Sequence, residues 1–537
     1  MKTSICLVLF FAGILVALFA TVSETAPGYM DAEYYYAGGK LLVEGKGFRE
    51  PFLWNYLDDP VAIPHAAFTY WMPLPSLLAA AGMVVSGRIN FLAARIFFVI
   101  LTGLIPVLAA YLAWVFTNDI NKSVLAGLLA VFPGFYLIYT SLTETFTLYM
   151  ILGSVFMLTA FTDCWSGKRI RLLRFRFFLL GLLSGLMHLT RADGFLWLAA
   201  GVILLAGRWV RERIKKTRNE DHPEQFPFYP LITLVLGYGL VMSPWYLRNF
   251  FELGKLFPAG GAHTLWLTNY DQTFIYPASL LDLRTWWSAG SVAHFAAWIE
   301  AIAFNLKTTL AVQGEVILFP LILAGLWKLR RNILIKFAGL MWAAIFLIMS
   351  FVFPFSGGRG GFLHSGSSMQ LVFWAVVPSG LDSFIQAGVR WRKWKVQYST
   401  RVFSFFLVFI CGILTMALFV TRVMYRDTNQ ASWNQSDQNY REVEKELVAW
   451  GVKPSSRVIV NNPPGYYLAS GREAMVIPDG GVEMLTQVAE KFRGEFLILE
   501  NNHVKGLDDL YDHPRDLPGL KYLGSVRNNE IFRLVIP

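Results

Sequence analysis

The run "ICLVLFFAGILVALFATV" (residues 5–22) is followed after six residues by "YMDAEYYYAGGKLLVEGKGF" (29–48). The first stretch is about the length needed to cross a bilayer and carries no charge. The second sets Asp31 and Glu33 beside three tyrosines where the chain leaves that apolar run. No clean small-residue cleavage site precedes the acids and many apolar runs follow, so the first segment reads as an uncleaved signal anchor. The rest of the chain supports this. Of 537 residues 55% are hydrophobic and 16% charged, against about 25% charged in soluble proteins. Further spans are expected at about 91–116, 123–140, 144–162, 177–190, 194–208, 228–246, 314–329, 337–355, 367–387 and 402–424, about eleven in all.

Charge distribution orients the spans. The net charge of +10 comes from short basic loops: "KRIRLLRFR" (168–176), "RWVRERIKKTR" (208–218), "KLRRNILIK" (328–336) and "RWRKWK" (390–395). Lys and Arg concentrate in cytoplasmic loops, so the basic charge records topology and excludes a nucleic-acid partner. Cys6, Cys164 and Cys411 are far apart and form no disulfide framework. With this orientation residues 23–90 and 247–313 are long external loops. The first should hold an amphipathic helix and the interfacial apolar piece "PLPSLLAAAGMVVSG" (73–87). After Tyr425 the chain becomes polar. The strand-like "RVIVNN", "AMVIP", "EFLILEN" and "IFRLVIP" and the helical "MLTQVAEKF" predict a small external α/β domain over 427–537, beyond a membrane module over 1–425.

Chemistry-bearing residues gather on the external side. Asp31 as helix N-cap with Glu33 in the first turn would let both face one site, although capping alone also accounts for them. Glu144 in "YTSLTETFTLYM" lies at an external turn, where Ser141 or Thr143 can cap the next helix. "PHAAFTYWMPLPS" (64–76) adds His65, able to meet phosphate or metal, and Tyr70, which also suits an interfacial belt. "HLTRADGF" supplies Arg191, with Asp193 as a local ion-pair partner. "FSGGRGGFLHSGSS" (355–368) supplies Arg359 and His364 in a glycine-rich loop suited to an anion. No HExxH, GxSxG or Cys/His metal cluster occurs. External carboxylates with external cations suit transfer of a sugar from a lipid phosphate. A carboxylate takes the proton of an acceptor hydroxyl, and the cations stabilise the leaving phosphate.

An acidic motif directly after span 1, a long first external loop, about eleven spans and an external C-terminal domain resemble the GT-C superfamily of integral membrane glycosyltransferases. The runs "TETFTLYMILGSVF" and "HLTRADGF" are similar to its bacterial branch, near the protein O-mannosyltransferases and lipid A aminoarabinose transferases. The resemblance covers about residues 1–425. It implies a polyprenyl-phosphate sugar donor and a lipid, glycan or protein acceptor. It also implies a multi-pass protein of the bacterial plasma membrane, surrounded by membrane lipids, with an extracytoplasmic active site. Asp31 becomes the candidate base, Glu33 its D-x-D-like companion and Glu144 the second acid. The motif here is D-A-E rather than D-E, which leaves the choice between Asp31 and Glu33 open. No cofactor is assigned; metal dependence varies across the superfamily, so a divalent ion stays open. The competing reading is a transporter or flippase of lipid-linked sugars, which more often shows internal repeats and midplane charges.

Overall fold

A computed structural model describes residues 1–161, 170–217, 228–258, 260–425 and 432–535. Cys164 and parts of the basic clusters at 168–176 and 208–218 lie outside the described residues. Among the described residues, nine helices are long and apolar enough to cross a membrane, or ten if the pair Ile120–Val131 and Gly134–Thr140, bent by 50°, forms one span. Their outward faces carry bare apolar side chains such as Val8, Leu15, Val292 and Phe409, as expected where the neighbour is lipid rather than water.

The count differs from the eleven read from sequence for a local reason. Gly290–Gln313 is long and apolar enough to span, where the sequence reading placed an external helix. Phe319–Lys328, counted there as a span, has only 10 residues. Between them Glu315 and Val316 adopt left-handed backbone (φ 45° and 54°), which interrupts the helix. Phe146–Phe161, at 16 residues, is likewise a shorter apolar helix. The helical core packs around Trp197, Trp374, Met150, Met157 and Leu371.

Lys122 and Lys328 both pair with Asp382, at 2.5 and 3.3 Å, tying three helices together at the basic face. His364 precedes Asp382 by eighteen residues in the helical stretch 362–392, beyond the kink at Arg359 and Gly360. At 1.5 Å per residue it therefore lies roughly 27 Å further along, near the opposite face.

The first long loop begins with the helix Met30–Val43 and continues through β1 (Arg49–Glu50), β2 (Phe52–Leu53) and β3 (His65–Ala66) to the helix Leu74–Ser86. β1 and β3 pair antiparallel, with Glu50 opposite His65. The C-terminal region supplies β4 (Arg457–Val460), β5 (Ala474–Met475), β6 (Gly494–Leu499), β7 (Leu520–Val526) and β8 (Asn529–Leu534). The sheet order is β2-β5-β4-β6-β8-β7, parallel from β2 to β6 and antiparallel beyond. An edge strand of this sheet thus comes from the first loop. Alternation sorts its side chains. Val458, Val460, Phe496 and Ile498 pack on the helix Gln435–Ala449. Ile459, Leu497 and Leu499 pack on the opposite face with Leu485, Val488 and Phe492.

Candidate active site

The helix carrying the acidic motif starts at Met30, with Tyr29 at its N-cap, and no side chain caps it. Asp31 therefore lies inside the first turn rather than at the cap expected from sequence. Residues two apart on a helix point in nearly opposite directions. Asp31 and Glu33 accordingly face different partners.

Asp31 meets His364, whose Nε2 lies 3.7 Å from Oδ2. The other ring nitrogen of His364, Nδ1, lies 3.0 Å from Oε1 of Glu144 and 3.0 Å from Oγ1 of Thr145. Thr145 also donates to Glu144 Oε1 at 2.7 Å. The imidazole stacks on Phe146, with 4.2 Å between ring centroids. Glu144 is buried, and its Oε2 has no hydrogen-bond partner. The turn that carries it is anchored by other means than the expected caps. Ser141 Oγ donates to Glu24, and Thr143 Oγ1 donates to the backbone oxygen of Ala32 at 2.8 Å. Glu24 is itself paired with the buried Arg95 at 3.3 Å.

The two carboxyls are driven apart electrostatically. Burial, reinforced by the charge of Glu144, pushes Asp31 up to about 6, while His364 and Arg191 pull the other way. Burial would also raise Glu144. The His364 ring and the hydrogen bonds from Thr145 outweigh it and hold Glu144 below the usual carboxylate value. One acid titrates near neutrality and its neighbour stays ionised.

Arg191 pairs with Asp193 at 3.0 Å, the local pair expected from "RADG". Asp193 also accepts a hydrogen bond from Ser365, next to His364. Burial raises the Tyr35 phenol well above its ordinary value; the charges of Glu144, Asp31 and Asp193 add to this and Arg191 opposes it. Burial raises the Tyr70 phenol above its ordinary value; Ser356 and the charge of Arg191 oppose the shift and Asp31 adds to it. Arg359 stacks over Tyr270 at 4.3 Å and lines a cleft of about 440 Å³ with Asp271, Asp479, Glu300 and Lys505. Burial pushes the Tyr270 phenol up to about 12, with Arg359 opposing the shift and Asp31 adding to it.

Two candidates fall elsewhere. His65 pairs with Asp58 at 2.6 Å within the first loop. Glu33 turns toward the C-terminal sheet and accepts a hydrogen bond from Asn462; burial pushes its carboxyl up to about 7. Sequence reasoning missed Thr145, Phe146, Tyr35, Tyr270, Ser365 and Asn462. Thr145 and Phe146 adjoin Glu144 in sequence, Tyr35 lies in the acidic stretch and Ser365 follows His364; Tyr270 and Asn462 carry no motif, and only the tertiary fold brings them in.

Asp31, Glu144 and His364 each offer one ligand atom, all within 4.8 Å of one another. Two carboxylates and an imidazole suit a divalent ion, and the partnerless, buried Glu144 Oε2 fits such a role. The residues present are compatible with a metal.

No protein-family model and no curated protein sequence matches the chain. Solved structures do. ArnT from Cupriavidus metallidurans bound to undecaprenyl phosphate superposes with a TM-score of 0.53 at 13% identity, covering 99% of each chain. The apo state of the same protein gives 0.50 at 12%, over 97% and 98%. The archaeal oligosaccharyltransferase AglB from Archaeoglobus fulgidus, in complex with an inhibitory peptide and a dolichol-phosphate, gives 0.50 at 12%. That match covers 92% of this chain and 69% of AglB. At identities this low the matches establish a shared fold.

Proposed function

We propose that the protein is a membrane glycosyltransferase that moves a sugar from a polyprenyl-phosphate donor to an acceptor hydroxyl, with Asp31 as the base. The observation that carries this reading is the convergence of Asp31, Glu144, His364 and Arg191 from four separate elements, near the membrane face opposite the Lys122–Asp382–Lys328 cluster. The GT-C fold adds to it, since ArnT and AglB were solved with undecaprenyl phosphate and a dolichol-phosphate respectively. Basic loops mark the cytoplasmic side, so the site faces outward, as in a bacterial plasma-membrane enzyme. Residues 1–425 act as the transferase module and 427–537 as an extracytoplasmic domain.

The acceptor hydroxyl gives its proton to an Asp31 carboxylate oxygen, and the acceptor oxygen attacks the anomeric carbon of the sugar. As that bond forms, the bond from the anomeric carbon to the phosphate oxygen breaks, and the electron pair leaves with polyprenyl phosphate. The phosphate gains negative charge, which Arg191 stabilises from beside Asp31 and Arg359 from across Tyr270. A single displacement inverts the anomeric configuration. Glu144 holds His364 by its Nδ1 and keeps Nε2 directed at Asp31. Asp31, Glu144 and His364 would hold a divalent ion; when bound it supplies positive charge next to the phosphate.

Purified protein in detergent, given a polyprenyl-phosphate sugar and candidate acceptors, should form glycosylated product and free polyprenyl phosphate. A transporter needs two compartments and would do neither. Absence of both products across lipid-linked hexose and pentose donors would sink the proposal.

A further inference from the structure

The first turn of the Met30–Val43 helix has no side-chain cap, and Gly28, two residues before it, sits at φ 85°. Something else must hold Asp31 in place. One tether is the Thr143 hydrogen bond to the Ala32 carbonyl, from the turn that carries Glu144. The other comes from the C-terminal sheet.

In that sheet the order β5-β4-β6 means that the connection leaving β4 runs to β5 on one side, and the next runs from β5 back past β4 to β6 on the other. This creates a topological switch point between β4 and β6, where open α/β sheets bind ligands beyond the carboxyl ends of the strands. The residues there are polar: Asn461 and Asn462 follow β4, and Glu500, Asn501, Asn502 and His503 follow β6. Asn461 bridges the two loops by donating to Asn502 at 2.6 Å, and Glu500 accepts from Tyr440 at 2.8 Å. Glu33 enters this crevice from the membrane module. Its Oε2 accepts from Asn462 Nδ2 at 2.5 Å, and its side chain is 2% exposed. The Asn462 amide is oriented by its oxygen, which accepts from the backbone N–H of Gly465 at 3.2 Å. Gly465 also makes room: a Cβ there would lie 2.7 Å from Glu33 Oε2.

We infer that Asn462 is a positioning residue for the base, and that the C-terminal sheet holds Asp31 by gripping Glu33 on the opposite side of the same helical turn. Glu33 is then the anchor of the acidic motif and Asp31 its reacting member. The inference rests on the transferase reading and assigns a task to the C-terminal region.

The test is a swap. Asn462→Asp keeps the acceptor for Gly465 but sets a carboxylate against Glu33. It should lower kcat for sugar transfer by on the order of 100-fold, the cost of a base displaced by about 1 Å, with the donor KM unchanged. Adding Glu33→Gln supplies an amide donor facing the new carboxylate, and kcat should return to that of Glu33→Gln alone. Loss of rate in Asn462→Asp without recovery in the double variant would overturn the inference, as would a kcat within about twofold of wild type. Thermal unfolding of the four proteins reads the Glu33–Asn462 contact without any activity. If wild type transfers no sugar, the transferase reading fails, while a coupling in that cycle still reports the anchor. Zero coupling in unfolding removes the anchor itself.

Discussion

As the proposed base, Asp31 should show a pH signature on removal as well as a loss of rate. The perturbation is Asp31→Asn, which keeps the shape of the side chain and removes its basicity. General bases contribute about 10²- to 10⁴-fold, so transfer should fall by that factor, about 2.7–5.4 kcal/mol of barrier. Burial and Glu144 place the Asp31 carboxyl at about 6. In wild type, kcat/KM should then rise about tenfold per pH unit up to about 6 and level off above it. At pH 5 roughly one molecule in eleven carries the base form. Glu144, held below the usual carboxylate value by His364 and Thr145, stays ionised through this window and adds no second limb. Stability runs the other way. A carboxyl raised in the folded state binds a proton that the unfolded chain has released, so stability falls as pH rises from about 4 through about 6. The loss is at most about 3 kcal/mol, less because the Asp31 side chain is 27% exposed and water screens it. The assay is initial-rate transfer of a radiolabelled lipid-linked sugar between pH 4.5 and 8, with chelator present. A limb near 6 that survives in Asp31→Asn, or a variant rate within tenfold of wild type, would refute Asp31 as the base.

Other outcomes follow from the same geometry. Arg191→Ala should raise the donor KM by roughly 10- to 100-fold, the worth of a charge-assisted hydrogen bond; Arg191→Lys should recover only part of it, since the planar fork is lost. An unchanged KM in initial-rate kinetics would remove Arg191 from the phosphate site. Mn²⁺ at about 100 times its Kd should stabilise wild type by about 2.7 kcal/mol and do nothing for His364→Ala, read by thermal unfolding in detergent; a wild type that ignores the ion excludes a metal at this triad. Gly380→Ala places a Cβ 1.9 Å from the Leu321 carbonyl, where the helices Gln370–Arg392 and Phe319–Lys328 touch. It should destabilise the protein by about 1–3 kcal/mol, and an unshifted unfolding transition would show that these backbones do not meet.

Much of the architecture was legible because lipid imposes a strong rule. Backbone polar groups must be satisfied within each span, so long apolar runs announce helices, and the basic loops announce their direction. Where that rule weakens, the reading slips. "AVQGEVILFP" (311–320) looks like the entry to a span, yet Glu315 and Val316 break the helix, and the segment long and apolar enough to cross lies before them. The site was legible in part for a different reason. Asp31, Glu144, Arg191 and His364 are ionisable groups in an apolar chain, conspicuous one by one, but their common location needed only the alternation of spans to be inferred. What sequence could not supply was rotation. Whether the helix is capped at Asp31 or at Tyr29 decides which way Glu33 points, and a shift of two residues turns a helix by about 200°. The first turn is met by Thr143 and Asn462, both more than a hundred positions away in sequence. Local patterning carries no information about those partners, so a motif read as two acids on one cavity separates into an acid that faces His364 and an acid that faces Asn462. The D-A-E spacing is what permits this division. With the acids adjacent, the second would lie only about 100° from the first, and it could not reach the Asn462 crevice while the first faced His364.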